Sequence, residues 1–121
     1  MTGTGILLVD LLAILPEEVE CYIQAPSLEN DVIQKMMTDT EFDYYQLVRL
    51  NKSNKKPFIE AVMIGEVVNY FHSMEIKADG KLLFEGYDGI EFGILSNTII
   101  IPEWFTQTYV LTGDCTVSTE W

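Results

Sequence analysis

The stretch from Ser73 to Leu95, SMEIKADGKLLFEGYDGIEFGIL, decides the fold. It contains two Asp-Gly pairs, Asp79-Gly80 and Asp88-Gly89, and each pair lies between residues that favour β-strands. Asp-Gly is typical of the two-residue type I′ turn, whose positive φ angles match the twist of the strands it joins. The sequence therefore predicts a three-stranded antiparallel meander over residues 73–95, with the rest of the chain packed against it.

Two such turns would also fix which side chains share a face, because successive residues of a strand point to opposite sides. The predicted core face is mainly apolar and holds Met74, Ile76, Ala78, Lys81, Leu83, Glu85, Tyr87, Ile90, Phe92 and Ile94. Glu85 does not fit this face, since an unpaired carboxylate is costly to bury. Three explanations remain open: a bulge at Gly86 turns Glu85 outward, a longer second loop shifts the register, or Glu85 is a functional acid in a cleft.

The other segments predict a mixture of helices and strands. Helices are expected at residues 6–15, at 28–37 after Ser27 as N-cap, at 58–72 after Pro57, and at 102–111. Strands are expected at residues 18–24, 42–50, 98–101 and 115–121. The segment 58–72 is also rich in β-branched residues, which leaves two strands or one bent strand as the alternative. The fold class is therefore α+β, an antiparallel sheet packed against two to four helices in a single domain spanning residues 1–121.

Acidic residues dominate the charge of the chain. Nineteen Asp and Glu face seven Lys and Arg, which gives a net charge of −12. This charge argues against binding to nucleic acid or to an anionic membrane, because both need clustered bases. It favours a basic protein as partner, and the alternative is that it serves solubility alone. Only the segment from Val48 to Pro57 has a net positive charge, because it contains four basic residues and no acidic one. A solvated loop is sufficient to explain this charge.

The apolar run from Ile6 to Leu15 is interrupted by Asp10 and is too short to cross a bilayer. No Lys or Arg precedes it, as a signal peptide would require. We therefore expect a cytoplasmic protein that does not bind membranes. Cys21 and Cys115 are expected to be reduced, buried thiols, and a disulfide between them is the alternative for an exported protein.

Patterns that carry catalysis or hold cofactors are missing from the sequence. His72 is the only histidine, no Gly-x-Ser-x-Gly occurs, and no phosphate-binding glycine loop is present. We therefore expect no cofactor, no metal and no catalytic residue. Glu85, Asp88 and Glu91 lie around the second Asp-Gly pair and are the one set that would suit a hard cation. The simpler interpretation is that Asp88 is a turn residue and Glu91 is solvated.

Binding has better support than catalysis. Asp39, Glu41 and Asp43 alternate just before Tyr44 and Tyr45, which places an acidic strip beside aromatic side chains. Aromatic residues anchor many protein interfaces, and an acidic strip suits a basic partner. An ordinary solvated strand edge would give the same pattern.

Three hypotheses for function follow. The first is a non-enzymatic acidic interaction protein, in its sharper form an inhibitor or immunity-type protein that covers a basic partner. The second is a small-ligand-binding domain with a pocket between the helices and the sheet, with Glu85 at its base. The third is a small enzyme with Glu85 as general base, and the absence of other catalytic candidates counts against it.

Overall fold

The computed structural model describes residues 3–42, 44–64 and 67–121, which form one mixed sheet and several short helices. The strands are β1 (Val19–Gln24), β2 (Met37–Asp39), β3 (Gln46–Leu50), β4 (Ser73–Ala78), β5 (Lys81–Tyr87), β6 (Phe92–Leu95) and β7 (Cys115–Val117). The α-helices are α1 (Leu7–Ile14), α2 (Asp31–Met36), α3 (Lys55–Met63) and α4 (Glu103–Phe105). A 3₁₀-helix covers Val67–Tyr70, and a π-helix covers Thr106–Val110. The described strands lie in the order β2-β3-β1-β4-β5-β6-β7.

The predicted meander is present, since β4, β5 and β6 are neighbours and pair antiparallel. The sheet around it is larger than the sequence indicated, because β1, β2 and β3 extend it on the β4 side. The expectation of a purely antiparallel sheet is wrong, since β7 pairs parallel with β6. A parallel neighbour needs a crossover connection, and residues 96–114, which include α4 and the π-helix, provide it.

The first hairpin has the predicted two-residue turn. Ala78 pairs with Lys81, and Asp79 and Gly80 have φ values of 51° and 75°. These positive values are what a type I′ turn requires.

The prediction of a two-residue second turn is wrong, because Tyr87 pairs with Phe92 across a loop of residues 88–91. Asp88, Gly89 and Ile90 have φ values of 53°, 74° and 57°. The loop is fixed by the Gly89 amide, which donates to the Phe71 carbonyl at 2.9 Å. Positive φ is unfavourable for a β-branched residue, and burial of Ile90, which is 3% exposed, offsets that cost.

A bulge in β5 reverses the predicted faces of the meander. Ile76 pairs with Phe84 and Lys77 with Leu82, so Leu83 is the extra residue. The residues of the second half of the meander that point to the core are therefore Phe84, Gly86, Gly93 and Leu95, all of them buried. The placement of Glu85, Tyr87, Phe92 and Ile94 on the core face is wrong. Of the explanations offered for Glu85, the bulge and the longer loop are both present, with the bulge at Leu83 instead of Gly86.

Alternate residues of the central strands pack against the helices. Val19, Cys21 and Ile23 of β1 are buried, whereas the residues between them are half-buried. The same alternation holds for Met74 and Ile76 of β4. One face of the sheet is therefore covered by the hydrophobic core, and the other face is open.

Helix α1 lies in this core, as its Leu-rich sequence indicates, and residues 7–12 are buried. Asp10 is the buried acid of this helix, and its carboxylate accepts hydrogen bonds from the Thr4 amide at 2.8 Å and from the Tyr109 hydroxyl. Burial, followed by this hydrogen bond, raises the pKa of Tyr109 well above its usual value. Asp10 therefore joins the first described residues to the π-helix.

Several other predictions are confirmed or corrected. Helix 28–37 starts later than predicted, because Asn30 and not Ser27 caps it: the Asn30 side chain accepts from the Ile33 amide at 3.1 Å. Segment 42–50 is a strand only over β3, since the Thr40 hydroxyl donates to the Tyr45 carbonyl at 2.8 Å and holds a loop before it. Of segment 58–72, residues 58–63 continue α3, which starts at Lys55, and residues 67–70 form the 3₁₀-helix, whereas residues 65–66 lie outside the described residues. The described part of the segment therefore contains neither of the two strand alternatives.

Toward the C-terminus, some predictions are again confirmed and others are corrected. Residues 98–101 form no strand: residues 97–98 form a turn, in which the Thr98 amide donates to the Ser96 hydroxyl at 3.2 Å. Residues 103–110 are helical as predicted, and the C-terminal edge strand is present as β7. Cys21 and Cys115 are free and buried, as expected. No described helix has both the length and the apolar character needed to cross a membrane.

Candidate interaction face

The open face of the sheet is formed by the strand residues that point away from the helices. Strand pairing arranges them in three rows across the sheet, two residues apart along each strand except at the bulge in β5, where Leu82 and Glu85 are three residues apart. The cationic row is Arg49, Glu20, Lys77 and Leu82. The carboxylate row is Leu47, Tyr22, Glu75, Glu85 and Ile94. The aromatic row is Gln24, Ser73, Tyr87 and Phe92.

The basic side chains of the cationic row interact with neighbouring side chains of the open face. Nε of Arg49 lies 3.3 Å from Oε2 of Glu20, and Nζ of Lys77 lies 5.0 Å from the centre of the Tyr22 ring. The Arg49 side chain is 70% exposed, so this ion pair contributes at most about 1 kcal/mol. Both cations of the open face are thus engaged within the chain.

Two side chains of the carboxylate row carry the same charge. Glu75 of β4 and Glu85 of β5 are directly opposite each other in the register. Like charges in that position destabilise a sheet. Among the described residues the single side-chain ion pair within 4.0 Å is that of Arg49 with Glu20, so no cation of the described chain neutralises Glu75 or Glu85.

The Tyr87 hydroxyl donates to Oε2 of Glu85 at 2.8 Å. This hydrogen bond to a carboxylate raises the pKa of Tyr87 to about 12, with smaller contributions from burial and from nearby charges. Glu85 therefore has one oxygen engaged by a neighbouring strand residue, and its side chain remains partly exposed.

The aromatic row is the most exposed apolar part of the face. Tyr87 is 43% exposed and Phe92 is 50% exposed. At the β1 side of this row, the Tyr45 hydroxyl lies 3.1 Å from the Ser73 hydroxyl, which in turn lies 3.1 Å from Oε1 of Gln24. These hydrogen bonds hold Tyr45 against the open face although it belongs to the loop before β3.

The residues predicted as an acidic strip have different positions. Asp39 ends β2 and Glu41 lies in the following loop, both exposed, and Asp43 lies outside the described residues. Tyr44 is 58% exposed and its ring centroid lies 5.2 Å from that of Tyr45. Glu41, Phe42 and Tyr44 lie outside the described strands, so Asp39 and Glu41 do not share one strand. Of this group, the structure brings Tyr45 to the open face.

The three acidic residues suggested as ligands of a hard cation, Glu85, Asp88 and Glu91, do not lie together. Asp88 and Glu91 are exposed in the second hairpin loop, whereas Glu85 bonds Tyr87 on the open face. Across residues 3–42, 44–64 and 67–121, no three His, Cys, Asp or Glu side chains are grouped closely enough to hold a metal ion.

The pocket hypothesis also loses its predicted acid, since Glu85 points away from the helices. A groove of about 330 Å³ lies elsewhere, between the first described residues, the 3₁₀-helix, the second hairpin loop and the π-helix. Its lining includes Ile6, Asn69, Ile90, Glu91 and Tyr109. A pocket between helices and sheet with Glu85 at its base is therefore absent from the described residues.

Sequence reasoning did not single out Tyr22, Glu75, Lys77 and Phe92 as candidate binding residues. The alternation of the segment VECYIQ in β1 was a usable signal, because it places Glu20, Tyr22 and Gln24 on one side. The rows themselves depend on the pairing of β1 with β3 and β4, which are distant in sequence.

A scan against protein-family models, a search of curated proteins and a search of solved structures each returned no match. The function is therefore argued from the open face and from charge.

Proposed function

We propose that the protein is a non-enzymatic interaction protein whose open face binds a basic protein, in the manner of an inhibitor or immunity protein that covers a basic site. The observation that carries the proposal is the open face itself. It presents half-exposed aromatic side chains, Tyr87 and Phe92, beside two carboxylates that no cation of the described chain neutralises. Aromatic anchors surrounded by complementary charge are typical of protein interfaces.

The size of the open face suits this role. The three rows extend over the five strands β3, β1, β4, β5 and β6. With strands about 4.8 Å apart and rows about 7 Å apart, they cover roughly 500 Å². A standard interface buries about 800 Å² on each partner. The open face therefore supplies more than half of such an interface, and the adjoining loop with Tyr44 and Glu41 would extend it.

The net charge of −12 supports a basic partner. Charge complementarity accelerates encounter and excludes acidic competitors, and its effect falls with ionic strength. We further propose a cytoplasmic location, where the reducing environment keeps buried thiols such as Cys21 and Cys115 free.

A capture experiment with matched variants tests the proposal. Immobilised wild-type protein, the open-face variant Tyr87→Ala/Phe92→Ala and the control Val32→Ala/Met63→Ala are exposed to a lysate of the source cells. Val32 and Met63 are 45% and 50% exposed on α2 and α3, so the control removes similar exposed apolar groups from the helical side.

We expect wild type and control to retain the same basic protein at about 50 mM NaCl and to release it at about 500 mM. The open-face variant should fail to retain it. Equal retention by all three baits, or retention that salt does not weaken, would contradict the proposal.

A further inference from the structure

We infer that the partner places an arginine side chain between Glu75 and Glu85, with an apolar side chain two residues away packed on Tyr87 and Phe92. This inference rests on the proposed function and specifies the chemistry that the open face recognises. It commits to one occupant, an extended arginine-bearing segment of a basic protein, on the basis of charge complementarity.

The first step is the cost of the carboxylate pair. Glu75 and Glu85 are directly opposite on adjacent strands, where Cβ atoms lie about 5 Å apart. Like charges directly opposite each other on adjacent strands disfavour the pairing, so we expect these two side chains to repel each other in the free protein. A single cation that binds both would remove the repulsion and would gain two charge-assisted hydrogen bonds.

The second step is that the chain's own nearby cations are used elsewhere. Lys77 is two residues from Glu75 along β4, and its Nζ lies over the Tyr22 ring at 5.0 Å. Arg49 pairs with Glu20 in the same row. Since no cation of the described residues forms an ion pair with Glu75 or Glu85, we expect the cation that binds both to come from a partner.

The third step selects arginine over lysine. Tyr22 adjoins Glu75 in the carboxylate row, and Ile94 adjoins Glu85, so the charged pair is flanked by an aromatic and an aliphatic side chain. A guanidinium is planar and weakly hydrated, so it tolerates such partly apolar surroundings, and its fixed fork of N–H donors can bind two carboxylates at once. An ammonium is a strongly hydrated point charge and gains less from flat, partly apolar surroundings.

The fourth step sets the spacing within the partner. Tyr87 is two residues from Glu85 along β5, so the carboxylate and aromatic rows are about 7 Å apart. Residues i and i+2 of an extended segment point the same way with the same separation. An arginine at position i and an aromatic residue at position i+2 would therefore meet the two rows together.

A titration followed by ¹⁵N-resolved NMR tests this inference with capped tripeptides as probes. The probes are Arg-Ser-Tyr, Lys-Ser-Tyr and Arg-Ser-Gly. The receptors are wild type, Glu75→Gln/Glu85→Gln, and Glu29→Gln/Glu60→Gln as a control that removes the same charge from exposed acids on the helical side.

We expect Arg-Ser-Tyr to shift the amide signals of the carboxylate and aromatic rows saturably, at least about threefold more tightly than either other probe. Glu75→Gln/Glu85→Gln should lose this preference, and the helical-side control should keep it. Equal binding of the arginine and lysine probes, or shifts spread evenly over all acidic residues, would overturn the inference.

A second readout does not depend on any ligand. If Glu75 and Glu85 repel each other, Glu75→Gln/Glu85→Gln should melt about 2 °C above the wild type, whereas the helical-side control should gain less. A lower or unchanged melting temperature would contradict the repulsion on which the inference depends.

The capture experiment separates failure of the inference from failure of the proposed function. A basic partner lost by Tyr87→Ala/Phe92→Ala but still retained by Glu75→Gln/Glu85→Gln would overturn the arginine site and leave the open face as the interface. A partner retained by both variants would overturn the proposed function as well.

Discussion

At the scale of single residues, the core side of β5 and β6 is shaped by the ring of Phe84, which is fully buried over two glycines. A Cβ atom at Gly93 would lie 2.2 Å from Cζ of Phe84 and 2.8 Å from the Glu85 carbonyl oxygen. A Cβ atom at Gly86 would lie 2.7 Å from Cε2 of the same ring. The two glycines therefore leave a flat surface on the core side of β5 and β6, where the Phe84 ring packs, and Glu85 points to the opposite side.

We expect Gly93→Ala to lower the free energy of unfolding by about 2 kcal/mol or more, because neither a buried ring nor a backbone carbonyl can move away freely. Gly80→Ala is the comparison: its Cβ would meet nothing within 4 Å, so only the strain of a φ of 75° applies. That strain costs about 1 kcal/mol. Urea unfolding measures both, and a milder effect for Gly93→Ala than for Gly80→Ala would contradict this packing.

The buried thiols predict a loss of stability at alkaline pH. Burial raises the pKa of Cys21 from 9.0 to about 12 and is also the main cause that raises that of Cys115 to about 11. Above pH 9 the unfolded chain releases these protons while the folded protein keeps them. Stability present below pH 9 is therefore lost as the pH rises toward 11 and 12, by up to about 1.4 kcal/mol per pH unit for each thiol.

Urea unfolding between about pH 8 and about pH 9.5 measures this slope in a range where the tyrosines of the unfolded chain, which ionise at about pH 10, contribute less than the thiols. Cys21→Ala should reduce the slope, although it lowers the overall stability by leaving a small cavity. An identical slope in wild type and Cys21→Ala would show that Cys21 is not protected from ionisation.

At the scale of elements, the second hairpin loop links the sheet to the helical layer. The Asp88 amide donates to the His72 carbonyl at 3.0 Å, and the Gly89 amide donates to the Phe71 carbonyl at 2.9 Å. These bonds, and the burial of the Ile90 side chain, select a loop that the pair Asp88-Gly89 alone would not predict. Local turn chemistry set the first hairpin correctly, whereas tertiary contacts decided the second.

Gly89→Val is expected to destabilise the protein by about 1 kcal/mol or more, since a β-branched residue resists a φ of 74°. The new side chain would also approach Cα of Asn69, which lies 3.4 Å from the position of a Cβ atom. Thermal unfolding measures the effect, and an unchanged melting temperature would be incompatible with the described loop.

The helices show the same division between local and tertiary control. The Leu-rich segment of α1 and the alternating segment of β1 were predicted within one or two residues, because each carries its own pattern. Residues 58–63 complete α3 and residues 67–70 form the 3₁₀-helix, and Phe58, Val62 and Val67 of these two elements are buried in the core. A local pattern of β-branched residues does not distinguish such buried helical positions from a strand.

At the scale of the whole molecule, the sequence was sufficient for the α+β class and for the meander but not for the full sheet. β1 pairs with β3 and β4 across long intervals of sequence, and β7 pairs parallel with β6 only because residues 96–114 cross over. The candidate site was predicted least accurately, because one extra residue at Leu83 places Glu85, Tyr87, Phe92 and Ile94 on the face opposite to the predicted one. The surface that they form with Tyr22 and Glu75 exists only once the strands are assembled.

The measurement that tests the central claim most directly is carboxylate footprinting of the protein with and without its captured basic partner. Carbodiimide labelling followed by mass spectrometry reports the accessibility of each Asp and Glu. We predict that the partner protects Glu75 and Glu85, while Glu29, Glu60 and Glu103, exposed on or next to helices, label as in the free protein. Protection of the helical acids with Glu75 and Glu85 still labelled would contradict the account and would place the interface on the other side of the sheet.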